Sequence, residues 1–227
     1  MVSPCGSMAT PFPEKTTQRG NDSSRGPTHF LALKITDPSL KSNIANFLDK
    51  TERQHPRYRK AFTPQGKLHI SLACLHLSDQ TEIVQAVDEF WKLKDLLTVR
   101  HNPADICLKI AGTSSFGERT LYADVKEEGT VQRSRQSFLN MVRTLRRLMS
   151  NAGVKVTDIG RPFVPHVTLI KLTRGFVETS GIAELDPRIL ELDKNKVFGM
   201  QQVQDICLMK MGGAGDEYLV EASMCFR

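Results

Sequence analysis

The string Asp-Ile-Cys-Leu occurs at Asp105–Leu108 and again at Asp205–Leu208, each time after a strand-like run that carries a histidine. The first run is GKLHISLACLHL from Gly66, the second RPFVPHVTLIKL from Arg161, and 97 residues separate His69 from His166. Around each, the order strand, helix, histidine strand, helix, strand is repeated, from Thr28 to Ala111 and from Arg119 to Met211. A four-residue match at the same place in two such units reads as duplication. The chain is therefore expected to form two similar lobes about a pseudo-twofold, with equivalent strands meeting in a central cleft of the kind that collects ligands.

The elements within each unit follow from periodicity. THFLALKIT, Thr28 to Thr36, alternates as a strand. Leu40, Ile44, Phe47 and Leu48 recur at helical spacing behind a cap at Asp37 or Ser39. Ile83, Val87, Phe90 and Leu97 make a second helical stripe behind Ser78 or Asp79. ADICLKIAG and RTLYADVKE read as strands joined by a turn at TSSFG. A helix is expected over 131–151, with Phe138, Met141, Val142, Leu145, Leu148 and Met149 on one face and Gly153 at its stop. A short helix near 187–192 precedes two closing strands, QVQDICLMKM and EYLVEASMCF, joined by a Gly-rich turn.

Residues 1–27 are rich in Pro, Gly, Ser and Thr and are expected to be a disordered tail, leaving 28–227 as one domain. No apolar run reaches the length of a membrane span, and the first fifteen residues lack the pattern of a secretory signal. Five cysteines without a C-x-x-C pair suit reduced thiols, so a cytoplasmic or nuclear location is expected. A net charge of +6 favours anionic partners without choosing among them.

Residues two apart on a strand share a face. His69 and Ser71 thus point together, as do His166 and Thr168, while Leu68, Ile70, Leu72, Val167 and Leu169 face a core. Two imidazoles with two hydroxyls suit displacement at phosphorus. One histidine takes a proton from the attacking oxygen, the other gives one to the leaving oxygen, and the hydroxyls meet the non-bridging oxygens.

These two H-x-[ST] strands, with RPF-x-PHVTL around the second, resemble the motifs of the 2H phosphoesterase superfamily. The order of elements is similar to the central nucleotide-binding domain of A-kinase anchoring proteins and to the C-terminal domain of leukocyte receptor cluster member nine. The resemblance runs from Thr28 to the C-terminus. It implies a bilobal α+β (LigT-like) fold with two pseudo-symmetric βαβαβ lobes and antiparallel sheets around a central cleft. It also implies a metal-independent phosphodiesterase without cofactor, acting on 2′,3′-cyclic phosphate or 2′,5′-phosphodiester bonds of RNA ends, short oligonucleotides or mononucleotides. His69 and His166 would be catalytic, and Ser71 and Thr168 would hold the phosphate. Ser71 stands where Thr is commoner and keeps the donor hydroxyl. Two alternatives share these residues: a non-catalytic module of a signalling scaffold that binds AMP- or CMP-like nucleotides, and a 3′–5′ RNA exonuclease. A monomer is expected, with any scaffold partner unknown.

By the same resemblance Phe116 and Tyr122 lie near the cleft, where a ring can stack on a nucleobase for ~1–3 kcal/mol, with core or rim packing as the alternative. A zinc site from His69, Cys74 and His76 is the rival, and strand parity argues against it because Cys74 and His76 would face away from His69. His29, His55 and His101 are expected at the surface or at strand ends, and Phe163 in the core. Arg161 and Lys171 are within reach of phosphate, although parity assigns Lys171 to the apolar face. Arg133, Arg135, Arg143, Arg146 and Arg147 make the long helix basic. A solvated helix face explains them, and RNA contact is the alternative.

Overall fold

The computed structural model describes residues 26–126, 131–213 and 215–226. The expected tail lies outside them except for Gly26 and Pro27, as do Cys5 and the side chain of Arg133.

The chain begins with strand β1 (His29–Lys34). Asp37 then caps α1 (Pro38–Gln54), accepting from the Leu40 amide at 2.7 Å, with Pro38 pre-set for the first turn. Three-ten turns lead into β2 (His69–Leu75). Asp79 caps α2 (Gln80–Lys92), and the chain turns at Leu93 into a separate α3 (Lys94–His101), where the sequence read one helix.

The hairpin of β3 (Cys107–Phe116) and β4 (Thr120–Lys126) follows. β3 runs on through Thr113–Phe116, so the turn is shorter than expected. Gly112 makes the extension possible: its φ of +74° sits at a register shift, and a Cβ there would lie 2.6 Å from the Lys194 carbonyl oxygen. Helix α4 (Val131–Asn151) stops before Gly153, whose φ is +85°.

β5 (His166–Lys171), α5 (Arg174–Ser180) and α6 (Pro187–Leu190) precede β6 (Val197–Gln202), β7 (Asp205–Lys210) and β8 (Val220–Cys225). The sequence reading has no counterpart of α5 or β6. Gly199 and the two glutamines of β6 hide its strand character. Gly199 is required where α1 approaches, since a Cβ there would come within 3.2 Å of the Leu40 side chain.

The strands form two antiparallel sheets with orders β2-β1-β7-β8 and β5-β4-β3-β6. The first three strands of each order are equivalent, so the duplication is visible in the topology. The lobes, however, are not the two sequence units 28–111 and 119–211. β3, from the first unit, pairs with β4 of the second, and β7, from the second, pairs with β1 of the first. The tight β3–β4 hairpin explains this: strands joined by a three-residue turn pair with each other, which pulls β3 out of its own unit's sheet.

Each histidine strand is an edge strand, and each free edge is covered by the segment that precedes the other histidine. Phe62 bridges Ile170 and the Thr63 amide donates to the Leu169 carbonyl at 2.9 Å. Val156 bridges Leu75 and the Thr157 amide donates to the Cys74 carbonyl at 2.8 Å. The helices and the outer faces of both sheets bury one continuous core, including the α4 stripe of Phe138, Met141, Val142, Leu145 and Met149. At ~1.5–3 kcal/mol per fully buried apolar side chain, that stripe alone outweighs the propensity of any residue in the helix. A smaller cluster of Phe30, Ala32, Cys207 and Met209 lies on the other face of the first sheet, the face that carries His69.

Candidate active site

His69, Ser71, His166 and Thr168 line one cavity of about 560 Å³ between the sheets. The two histidines are held alike. Nδ1 of His69 bonds the Lys67 carbonyl at 2.7 Å, and Nδ1 of His166 bonds the Val164 carbonyl at 2.8 Å, in both cases the residue two before. A carbonyl only accepts, so each Nδ1 carries the hydrogen and each Nε2 offers its lone pair. Ser71 Oγ lies 3.0 Å from His69 Nε2 and can donate to it. Burial disfavours the charged ring in both cases and pushes both pKa values below the usual histidine value. His69 is lowered further by His166 and Lys171, while Asp124 partly offsets the lowering at His166.

Parity holds as far as Ser71 and Thr168 and then fails at the same place in both strands. Ala32 pairs with Ser71 but Leu31 with Ala73, so Leu72 is an extra residue. Tyr122 pairs with Thr168 but Leu121 with Ile170, so Leu169 is its equivalent. A bulge reverses which face later residues take. Cys74 and Lys171, expected on the apolar side, therefore both line the cavity. The carbonyls that the bulges free find donors: Arg146 Nε at 2.6 Å for Leu72, and the Thr63 amide for Leu169.

Arg146 is thus a buried residue, 8% exposed, in place of one on a solvated face. It also pairs with Asp158 at 2.7 Å, and the other Asp158 oxygen accepts from the Cys74 amide at 3.0 Å. Sharing a wall with His69 does not make Cys74 a metal ligand here, because the His76 ring is committed to the Gly26 carbonyl at 2.8 Å and to Ser78. Among the described residues no group of three or more His, Cys, Asp or Glu is placed to hold a metal ion.

Phe116 and Tyr122 stack on each other with centroids 4.3 Å apart, and both contact the His166 ring. Neither lines the cavity; Tyr122 is 6% exposed and Phe116 43%. Besides Phe62, the aromatic wall of the cavity is Phe30 and Tyr218, with centroids 5.0 and 5.4 Å from that of His69. Sequence reasoning missed both. The alternation of β1 could have found Phe30, since it shares a face with Ala32 opposite Leu31 and Leu33. Tyr218 falls in the run EYLVEASMCF read as a closing strand, but β8 begins only at Val220 and Tyr218 lies outside any regular element, so alternation does not place it. Lys60, Lys67 and Lys171 also line the cavity, and among the described residues no Asp or Glu does. The nearby Asp124 is engaged by Ser114 at 2.6 Å and Lys126 at 3.0 Å.

Residues 27–226 match the family model of the AKAP7 2′5′ RNA ligase-like domain. The chain belongs to this family. Human A-kinase anchor protein 7 isoform gamma is 25% identical over 202 residues, which cover 87% of this chain and 57% of that protein. The chain thus spans little more than half of this relative.

Among solved structures, E. coli LigT complexed with 3′-AMP superposes with a TM-score of 0.53 at 17% identity, over 89% of this chain and 99% of that one. The same protein complexed with NADP+ gives 0.52 at 16% identity, with the same coverage. At these identities the likeness is one of fold, the bilobal α+β arrangement of the 2H phosphoesterases. Membership in the AKAP7-like family and that shared fold agree on the chain's architecture and class. No helix among the described residues is long and apolar enough to cross a membrane.

Proposed function

We propose that this chain is a phosphodiesterase that cleaves 2′,3′-cyclic phosphate or 2′,5′-phosphodiester bonds at RNA ends and in short oligonucleotides. The observation that carries this reading is the matched pair of imidazoles. Both line one cavity, both have Nδ1 tied to the backbone two residues before, and both keep Nε2 for a ligand. With a phosphate between the rings, one Nε2 removes the proton of an attacking water as its oxygen bonds to phosphorus. The other ring, protonated, gives its proton to the departing ribose oxygen as that bond breaks. Ser71 and Thr168 then donate to the non-bridging oxygens. The Ser71 hydrogen is free to rotate away from His69, and Lys171 adds positive charge. Phe30 and Tyr218 supply a face for a base.

The test is a panel of linkage isomers: a 2′,3′-cyclic mononucleotide, 2′,5′-oligoadenylate and its 3′,5′ isomer, each with and without chelator. Turnover of one of the first two, unaffected by EDTA, is expected, because two imidazoles provide both proton transfers. His69→Ala and His166→Ala should each lower kcat by about 10²–10⁴-fold and leave nucleotide binding partly intact. Loss of activity in EDTA would overturn the metal-independent mechanism.

A second reading, a nucleotide-binding module without turnover, is favoured by one observation. The wall beside His69 is apolar and aromatic, from Phe30, Met209 and Tyr218, and suits holding a base. Tight AMP or CMP binding together with no product from any isomer would select it.

A further inference from the structure

A second cavity, about 420 Å³, opens between α4 and the segment that leads into β5. Arg143, Arg146 and Arg147 lie at i, i+3 and i+4 on one side of the helix, and Arg161 faces them from the segment. Val142, Ile159 and Phe163 form an apolar floor. Its volume is that of a small-ligand site.

The charges there are unbalanced. Arg146 is committed to Leu72 and Asp158, and Asp158 is used up by Arg146 and the Cys74 amide. Arg143, Arg147 and Arg161 are exposed, and none has an acidic partner among the described residues. Arg143 bonds only the neutral Asn140, at 3.0 Å. Three guanidinium groups over an apolar floor fit an extended ligand that alternates anionic groups with flat apolar ones, which describes a single nucleic-acid strand better than an acidic peptide.

The groove also shares a wall with the histidine cleft. Arg146 donates to the Leu72 carbonyl, and Cys74, two residues on, lines the cleft.

We infer that the α4 groove is a second site, for the sugar-phosphate backbone of single-stranded RNA, separate from the histidine cleft and able to hold the body of a strand whose end occupies that cleft. Only that last link rests on the function proposed above.

The test is fluorescence anisotropy of a labelled ten-nucleotide single-stranded RNA on the whole chain across a salt series, with AMP binding measured in parallel. Arg143→Ala with Arg147→Ala removes two exposed cations and no buried group. The pair should weaken RNA binding at least tenfold at low salt. It should also reduce the slope of log K against log salt by about 1.4, two backbone contacts at about 0.7 each. AMP affinity should stay unchanged. The double lysine variant, which keeps both charges, should restore the slope. An unchanged slope in the alanine pair would overturn the site, as would polyglutamate binding more tightly than the RNA at equal ionic strength, which would assign the groove to an acidic protein. Failure of the wild-type chain to bind or turn over any mononucleotide would sink the cleft reading instead, and the salt slope would still decide the groove.

Discussion

His69 and His166 depart from a free histidine in the same direction, and burial is the larger cause at both. Catalysis by one neutral and one protonated ring is best between their two pKa values. Both lie below the ordinary value of about 6.5, so the optimum of kcat/KM, which reports the free protein, is expected on the acid side of pH 6.5. Above the higher pKa the proton donor is lost, and below the lower one the base is occupied. A bound phosphate carries negative charge and favours imidazolium, so the kcat profile should peak at higher pH than that of kcat/KM. Lys171 lowers both rings. Lys171→Met should therefore move the kcat/KM optimum to higher pH while reducing its height by about 10²-fold, the usual loss of one transition-state contact. A profile lower in height but unmoved would mean that Lys171 acts on the phosphate alone and is too far from the rings to matter to them.

Strand β2 delivers His69 and Ser71 to the cleft by regular alternation and adds Cys74 because Leu72 bulges, and the bulge is held from outside the sheet by Arg146 and Asp158. Asp158→Ala leaves Arg146 without its carboxylate and the Cys74 amide without an acceptor. A loss of about 3 kcal/mol is expected by urea denaturation, the lower end for a broken buried pair, with a smaller loss for Asp158→Asn, which keeps an acceptor. A change under about 1 kcal/mol would class the pair with surface ion pairs.

The bulges also mark where sequence reading stops. His69, Ser71, His166 and Thr168 were legible because alternation is reliable in a regular strand, and the duplication gave each position a check in the other unit. Cys74 and Lys171 were assigned to the wrong face because an inserted residue changes phase without changing composition. The one trace was a pair of adjacent apolar residues after each hydroxyl, Leu72-Ala73 and Leu169-Ile170. Helix α4 was readable to its ends because its stripe and its glycine stop agree. The burial of Arg146 was not, since nothing local distinguishes an arginine that meets a freed carbonyl from one that meets water.

Exchange of β3 and β7 means that neither sequence unit contains a complete sheet. β1 needs β7, whose pairing joins His29 to Lys210 across most of the chain, and β4 is flanked by β3 from the other unit. Each histidine edge is also closed by a segment borrowed from across the cleft. Separate lobes joined only by a linker would unfold in two steps, whereas lobes interlocked in this way should unfold in one. Trp91, the single tryptophan, lies in α2 and reports the neighbourhood of the first sheet, while far-UV circular dichroism reports both sheets and all helices. The two urea transitions are expected to coincide, with the same midpoint and slope. Such distant strand pairing also places folding toward the slow end for a protein of this size, and a fragment ending at Phe116 should show no cooperative transition at all. Two separated transitions, or a folded fragment, would mean that each half carries its own core and that the cleft is a contact between finished lobes. In that case the positions of His69 and His166 relative to each other would depend on how the lobes dock. In the interlocked arrangement the same hydrogen bonds that complete each sheet also fix the distance across which a proton pair must work.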